Sequence, residues 1–168
     1  SQAGEYISSL MAECDSCGGI IECVAEGLPA GLGEPVFDKL DALLAHAVMS
    51  IGAVKGVEIG DGFAASVSTG SKNNDPFFSE NGVVLKKTNH AGGTLGGMSD
   101  GSRLVLRAAV KPTSSIAQTQ HTVNIDHENA EIKVLGRHDP VIVPRAVVVV
   151  ESMTALTLAD LLLRNMSA

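Results

Sequence analysis

Apolar residues recur at helical spacing in two segments of the first third of the chain. In residues 3–14, Ile7 and Leu10 fall on one face, which predicts an amphipathic helix. A longer helix is predicted over residues 35–51, where apolar residues recur every three or four positions after a proline suited to a first helical turn. His46 lies on this helix, and we expect it to pack there rather than to bind a ligand.

The last part of the chain, residues 141–164, carries two conflicting signals. Its first ten residues are apolar and largely β-branched, which favours a strand, whereas residues 151–164 have helical spacing. The helix could also begin as early as Pro144. We favour one long helix from about Pro144, because tertiary burial overrides local propensity.

Short apolar runs separated by polar or glycine-rich turns predict the strands. These are residues 20–25, 54–59, 83–85, 104–110, 122–125 and 131–134. The last two alternate in polarity around a turn and are therefore expected to form a hairpin. A turn at residues 99–102 is expected to pair strand 104–110 with the segment before it.

Two segments are expected to be loops. Residues 27–35 combine glycines with prolines, which excludes regular structure. Residues 68–80 are polar and indicate a mobile surface loop, in which Phe77 and Phe78 would form a lid or dock on the surface. A short helix is expected over residues 63–67. Strands in hairpins together with long helices predict an α+β fold, with antiparallel sheet packed against the helices.

Composition limits the class of protein. The 168 residues suffice for one domain, residues 1–168, and a chain that is 45% hydrophobic without tryptophan requires an aliphatic core. A net charge of −7 argues against a general nucleic-acid or anionic-membrane surface. The sequence has no uninterrupted apolar run near the length of a membrane span and no signal peptide.

The three cysteines suggest a reducing cytoplasm, because they show no disulfide pattern. Cys14 and Cys17 have the spacing of a redox or zinc motif, but neither a thioredoxin-like context nor a second ligand pair accompanies them. We therefore favour structural thiols. Cys23 lies in an apolar strand and is expected to be a small buried hydrophobic residue.

Two runs carry the candidate chemistry. Lys111-Pro112-Thr113-Ser114-Ser115 follows a strong strand, and its lysine, hydroxyls and backbone amides could cradle a phosphate or a carboxylate. Gly136-Arg137-His138-Asp139-Pro140 gathers a cation, an imidazole and a carboxylate. The alternative is an ordinary strand exit and a solvated loop with a surface ion pair.

A glycine-rich loop, residues 89–97, lies between these elements. Its four glycines allow a close approach of backbone to a flat or phosphorylated ligand. The loop lacks the glycine spacing and the following helix of a dinucleotide fingerprint.

Several runs together resemble one family, chorismate synthase, and in their order they resemble its C-terminal half. The resemblance covers essentially the whole chain. The runs are Ala30 to Asp41, Ala53 to Gly62, Asn89 to Gly93, Leu95 to Gly97, Lys111 to Ser115 and Gly136 to Pro140.

The resemblance implies a lyase of the shikimate pathway, and hence of aromatic amino acid biosynthesis. Such an enzyme converts 5-enolpyruvylshikimate 3-phosphate into chorismate and phosphate by an anti-1,4-elimination. The family requires reduced FMN, although the reaction has no net redox change. We also expect NADPH to be involved. The implied fold is a β-α-β sandwich, and the implied assembly is a cytoplasmic homotetramer of full-length chains.

The resemblance also implies the site residues. Those that match the flavin-binding positions of the family are Gly52, Ala53, Gly96, Lys111, Pro112, Thr113, Ser114, Ser115 and Arg137. Arg137 is further implied to lie near the substrate, and Asp139 matches the aspartate that assists proton removal. As a planar cation, Arg137 is expected to hold Asp139 in its ionised form.

The sequence departs from the family pattern in two respects. Gly52 stands where several relatives carry asparagine, so one side-chain contact with flavin is expected to be missing. The family's N-terminal half is expected to lie outside this chain, together with two histidines and most of the arginines that bind the leaving phosphate. The chain alone is therefore expected to be catalytically inactive. The alternative function is a non-catalytic flavin-binding or assembly fragment.

Overall fold

A helix lies near each end of the described part of the chain. A computed structural model describes residues 2–136 and 138–167. Within these residues the helices are α1 (Gln2–Ala12), α2 (Leu40–Met49), α3 (Gly70–Asn73) and α4 (Val143–Ser167), with a 3-10 helix at Gly62–Val67. The helices predicted over residues 3–14 and 63–67 are confirmed.

The strands in the described residues include every strand that the sequence predicts, with ends shifted by a few residues. They are β1 (Gly19–Ala25), β2 (Val54–Ile59), β3 (Phe77–Glu80), β4 (Val83–Lys86), β5 (Thr94–Leu95), β6 (Met98–Ser99), β7 (Leu104–Val110), β8 (Thr119–Val123) and β9 (Asn129–Lys133). The predicted hairpin near the C-terminal third is confirmed as the antiparallel pair β8 and β9.

A three-stranded antiparallel sheet in the order β1-β7-β2 forms the centre of the fold. In β7, Leu104, Leu106, Ala108 and Val110 are buried, while the residues between them are partly or fully exposed. Such alternation arises when one face of a sheet is covered. Here α2 contacts β2, α4 contacts β1, and the two helices contact each other.

The helices close the core with one buried stripe each. Leu40, Leu44 and Val48 recur every four residues along α2 and are fully buried, as helical periodicity requires. Val150 and Leu161 of α4 join the same cluster. Each such side chain contributes about 1.5–3 kcal/mol through burial. The predicted α+β class, with antiparallel sheet packed against long helices, is confirmed.

The long C-terminal helix is also confirmed. α4 runs without interruption through the β-branched segment and begins at Val143, one residue before the predicted Pro144. Proline fits there because the first-turn N–H groups of a helix have no intrahelical partner. Packing against β1 and α2 therefore outweighs the strand propensity of the valines.

By length and composition α4 could cross a membrane, although the sequence has no uninterrupted apolar run of that length. It is the one helix with this property in the part of the chain that the structure describes, and its most apolar window has a mean hydropathy of 1.9. A helix from a protein core has a similar composition, so these properties alone are a weak indication of a span.

The helix predicted over residues 35–51 is wrong at its start. Residues 35–39 form turns, and Val36 has a φ of 65°. The helix begins only at Leu40, whose N–H donates to the Gly97 carbonyl at 2.7 Å. This contact with a distant part of the chain sets the first helical residue, so local spacing could not reveal it.

The prediction of an irregular loop over residues 68–80 is wrong. The segment contains α3 and β3, and β3 pairs with β4 in an antiparallel hairpin. Phe77 and Phe78 are residues of that strand and are 54% and 37% exposed. Asp75 is buried at the entry to the hairpin, where it anchors the segment.

The predicted partner of strand 104–110 is also wrong. β7 pairs with β1 and β2, whereas the preceding β5 and β6 form a short hairpin of their own. A buried central strand needs a partner on both sides along its full length. The two-residue strands before it are too short to provide one.

His46 is exposed on α2, so its predicted packing role is wrong. Cys14, Cys17 and Cys23 are free thiols, and Cys23 packs against the core cluster as a small hydrophobic residue. Among the described residues, no group of three or more histidine, cysteine, aspartate or glutamate side chains could hold a metal ion.

Candidate functional site

The loop that follows β7, residues 111–115 (the lysine loop), is bonded to the residue that directly precedes β2. The Lys111 N–H donates to the Ala53 carbonyl at 2.9 Å, and Ala53 has a φ of 70°. Pro112 then ends the strand, since proline has no N–H for sheet pairing. The structure therefore brings Gly52 and Ala53 to Lys111, although they are far apart in sequence.

Thr113 is the residue of the lysine loop whose surroundings point most directly to a ligand. Its carbonyl accepts a hydrogen bond from the Ser16 hydroxyl at 2.6 Å. Its own hydroxyl oxygen, Oγ1, is buried and has no partner among the described residues. An unpaired buried hydroxyl costs about 1–3 kcal/mol. Lys111 and Ser114 are exposed beside it. Together with these two residues, the Thr113 hydroxyl is suited to bind an anionic ligand.

The second candidate loop, residues 138–140 (the aspartate loop), leads into α4. Asp139 Oδ2 forms an ion pair with the Arg145 guanidinium, at 2.6 Å. His138 Nε2 lies 3.2 Å from the Val134 carbonyl oxygen. Arg137 lies outside the described residues, so its proposed contacts with flavin, with substrate and with Asp139 remain predictions.

A cleft of about 170 Å³ lies between the aspartate loop and the residues that follow the lysine loop. The cleft is lined by three segments: the link between α1 and β1, the residues just after the lysine loop, and the aspartate loop. They contribute Asp15, Ser16, Ile116, Ala117, His138 and Asp139, among others. Binding pockets usually enclose about 300–1,000 Å³, so this cleft would hold part of a flavin-sized ligand.

The structure does not bring Gly96 to this cleft. Gly96 forms the turn between β5 and β6, and the nearby Gly93 lies against Leu104 at the start of β7. Lys111 follows the other end of β7. Each residue of a strand rises by about 3.3 Å, so the first and last of the seven residues of β7 lie about 20 Å apart. The role of Gly96 as a flavin ligand remains a prediction.

A second polar cluster joins the β3–β4 hairpin to the glycine-rich loop. Lys86 Nζ lies 2.6 Å from Asp100 Oδ2 and 3.6 Å from Asp75 Oδ2, and all three side chains are nearly buried. Burial alone would raise the pKa of Asp75, but the Thr88 hydroxyl, two backbone N–H groups and Lys86 lower that pKa to about 2. Burial also opposes ionisation of Asp100, whose pKa is lowered by its hydrogen bond to Lys86.

Two residues that contact the lysine loop or the aspartate loop are absent from the candidates that the sequence suggests. Arg145 lies in the first turn of α4, where the helix dipole disfavours a cation. A nearby carboxylate would compensate for this unfavourable position, so the position of Arg145 is a sequence signal for such a partner. Ser16 follows the end of α1, and no local pattern could reveal a contact between residues that are 97 positions apart.

Comparison with known proteins identifies the family. A family model of chorismate synthase matches residues 1–163. A chorismate synthase from Agathobacter rectalis is 63% identical over 167 residues, which cover 99% of this chain and 46% of that protein. A chorismate synthase from Lachnoclostridium phytofermentans is 60% identical over 168 residues, which cover 99% of this chain and 46% of that protein.

The structural comparison agrees. A crystal structure of a chorismate synthase superposes with a TM-score of 0.79 at 35% sequence identity, covering 98% of this chain and 42% of that chain. This chain spans about half the length of the curated relatives that it matches. Because sequence and fold agree over nearly all of its residues, the chain belongs to the chorismate synthase family.

Proposed function

We propose that this chain contributes the flavin-binding loop and the proton-accepting aspartate of a chorismate synthase. The reaction is the FMN-dependent anti-1,4-elimination of phosphate from 5-enolpyruvylshikimate 3-phosphate, which gives chorismate. The observation that carries the proposal is the unpaired, buried hydroxyl of Thr113 beside the exposed Lys111. Ser16, which bonds to the Thr113 carbonyl, lines the same cleft as Asp139.

The residues of the lysine loop fit a phosphorylated flavin. Lys111 offers a cation and the Thr113 hydroxyl offers a buried donor, which together suit the phosphate of FMN. Gly52 and Ala53 add backbone next to Lys111, and the glycine at position 52 provides no side-chain contact. When bound, reduced FMN supplies electron density that no side chain can provide.

Asp139 is proposed to assist removal of the proton from the substrate ring and to hold that proton afterwards. Its Oδ2 is paired with Arg145, so we assign Oδ1 as the accepting atom. As the ring C–H bond breaks, its electron pair forms a new double bond to the neighbouring ring carbon. The existing ring double bond shifts by one position, and the carbon–oxygen bond to phosphate breaks with its electrons passing to the phosphate. Arg145 would hold Oδ2 and so keep the carboxylate oriented.

The leaving phosphate and two carboxylates of the substrate require several cations. This chain has 12 lysines and arginines against 19 aspartates and glutamates. We therefore propose that further cations come from residues that the longer relatives possess, in a cytoplasmic homotetramer that binds neither nucleic acid nor membrane. The exposed apolar residues of α4, such as Leu156 and Leu163, would be covered in that assembly.

The shortage of cations also favours the second candidate function, a flavin-binding or assembly module without catalysis. The two candidates share the lysine loop but differ in turnover. Formation of chorismate when the chain and reduced FMN are mixed with the N-terminal half of a longer relative, such as the Agathobacter rectalis protein, would support the enzyme. Saturable FMN binding without turnover in that mixture would support the module.

The test of the shared step is an anaerobic FMN titration of the chain, followed by flavin fluorescence. Lys111→Ala is expected to weaken FMN binding about tenfold or more, since a charge-assisted hydrogen bond contributes about 1.5–3 kcal/mol. Lys72→Ala, on the exposed side of α3, serves as the matched control and should leave the affinity unchanged. Absence of saturable binding by the parent chain would refute the assignment of a preformed flavin site.

A further inference from the structure

We propose that Ser16 is a positioning residue that holds the lysine loop in its flavin-binding conformation. The inference rests on the proposed function for its ligand, but its structural part can be tested without flavin. Ser16 belongs to the short link between α1 and β1, and this link forms hydrogen bonds with both the lysine loop and the aspartate loop.

The link is itself fixed by the end of α1. Cys14 adopts a φ of 57° and its N–H donates to the Met11 carbonyl at 3.2 Å, while the Asp15 N–H donates to the Leu10 carbonyl at 2.9 Å. This pair of bonds around a left-handed residue is the Schellman arrangement that ends many helices. The chain therefore leaves α1 in a defined direction, and Ser16 follows immediately.

Consecutive residues of the link then bind the two loops. The Ser16 hydroxyl donates to the Thr113 carbonyl at 2.6 Å. The next N–H, that of Cys17, donates to the Pro140 carbonyl at 2.8 Å, and Cys17 forms a parallel bridge with Val141. The link thus sets the separation between the lysine loop and the aspartate loop.

The bond to Thr113 has a particular consequence for ligand binding. The peptide group is planar, so fixing the Thr113 carbonyl also fixes the direction of the Ser114 N–H on the same peptide. Backbone N–H groups in such loops bind anions. In the rest of the lysine loop, the Lys111 N–H is already bonded to Ala53 and Pro112 has none. Ser16 therefore orients one of the few backbone donors that remain for a phosphate.

The variants that test this role are Ser16→Ala, which removes the hydroxyl, and Ser16→Thr, which retains it. Ser9→Ala is the matched control, because the Ser9 hydroxyl also donates to a backbone carbonyl, that of Tyr6, but on the exposed side of α1. Each variant of the full chain is compared by amide hydrogen exchange over residues 113–118, by thermal unfolding, and by anaerobic FMN titration.

We expect Ser16→Ala to speed exchange at the amides of the lysine loop and to weaken FMN binding roughly two- to tenfold, the factor that one ordinary hydrogen bond supplies. Ser16→Thr should restore both to within about twofold of the parent, since it keeps the donor. Ser9→Ala should change neither. A merely stabilising role would instead lower the unfolding temperature without a localised change in exchange.

The outcomes separate this inference from the proposed function. Unchanged exchange in the lysine loop of Ser16→Ala overturns the positioning role, whether or not flavin binds. Faster exchange with unchanged FMN affinity overturns it as well. If the parent chain binds no FMN, the proposed function fails for this chain, while faster exchange that Ser16→Thr reverses still supports control of the loop by Ser16.

Discussion

At the scale of single residues, Gly18 sets how closely the link after α1 approaches the lysine loop. A Cβ atom at this position would overlap with the Val110 carbonyl oxygen and would lie 3.1 Å from Pro112 Cδ. Both neighbours are held in place, one by the sheet and the other by its ring. The close approach that lets Ser16 reach Thr113 therefore depends on the missing side chain of Gly18.

Gly18→Ala is consequently expected to reduce the free energy of unfolding by about 1–3 kcal/mol, the usual cost of forcing extra atoms into a packed site. Urea unfolding of the parent and the variant measures the change. Gly70→Ala is the control, because nothing lies within 4 Å of the added carbon there. It should be neutral or stabilising by up to about 1 kcal/mol. Equal stability of Gly18→Ala and the parent would contradict the clash.

At the scale of elements, the β3–β4 hairpin depends on charge rather than on apolar packing. All four residues of β3 are exposed, and an isolated two-stranded hairpin is marginally stable at best. Its attachment comes from Asp75, Lys86 and Asp100, whose side chains are nearly buried together. These groups also anchor the glycine-rich loop, since Asp75 accepts hydrogen bonds from the N–H groups of His90 and Ala91.

This arrangement predicts a stability that falls in acid. Because the pKa of Asp75 is lowered to about 2 in the folded chain, its contribution is present above the unfolded value, about 3.9, and is lost as the pH falls toward 2. The depression corresponds to about 2 kcal/mol. We expect Asp75→Asn to destabilise the chain at neutral pH and to flatten the dependence of the unfolding free energy on pH over this interval.

The measurement is urea unfolding at a series of pH values for the parent, for Asp75→Asn and for Asp126→Asn. Asp126 is an exposed carboxylate in the turn between β8 and β9, and its replacement should change stability by no more than about 0.5 kcal/mol. Curves for Asp75→Asn and the parent that run parallel below pH 4 would show that another group controls the acid transition.

The elements divide into those that local pattern determines and those that distant contacts determine. The six predicted strands and residues 151–164 of α4 follow from the pattern of apolar residues, so the sequence predicts them. The β-branched first part of α4 is helical because it packs on β1 and α2. The start of α2 depends on the bond between Leu40 and Gly97, and the order in residues 68–80 depends on Asp75. No periodicity encodes such pairs.

The site divides in the same way. The lysine loop and Asp139 can be named from the types of residue that they contain and from the resemblance to a family. Ser16 acts through a contact with Thr113 across the fold, whereas Arg145 reaches Asp139 from the adjoining first turn of α4. Sequence patterns thus identify groups able to bind or to react, whereas the residues that hold those groups emerge only from the folded chain.

At the scale of the whole molecule, α4 leaves several large apolar side chains exposed along its length, and exposed apolar patches often mark contact surfaces. Only 17% of its most apolar window is buried, although one stripe of the helix packs on β1 and α2. Side chains on its other faces that are more than half exposed are Val148, Leu156, Leu163 and Met166. Since this chain spans about half the length of its relatives, the surface is suited to be covered by further protein.

In the isolated chain the same surface should drive association. We expect sedimentation velocity to show a weight-average mass that rises with concentration, because burial of apolar area is the main driving force for protein association. The double variant Leu156→Gln with Leu163→Gln should shift the distribution toward the monomer without lowering the unfolding temperature, since these side chains are 65% and 66% exposed.

The matched control replaces two exposed apolar residues elsewhere, Val123→Gln with Ile125→Gln, at the β8–β9 hairpin, where the side chains are 57% and 92% exposed. If general hydrophobicity caused the association, this pair would reduce it as much as the α4 pair does. A larger effect of the α4 pair assigns the contact to that helix. A parent chain that remains monomeric at every concentration would instead mean that the exposed face of α4 does not drive self-association, and that its coverage requires a specific partner surface.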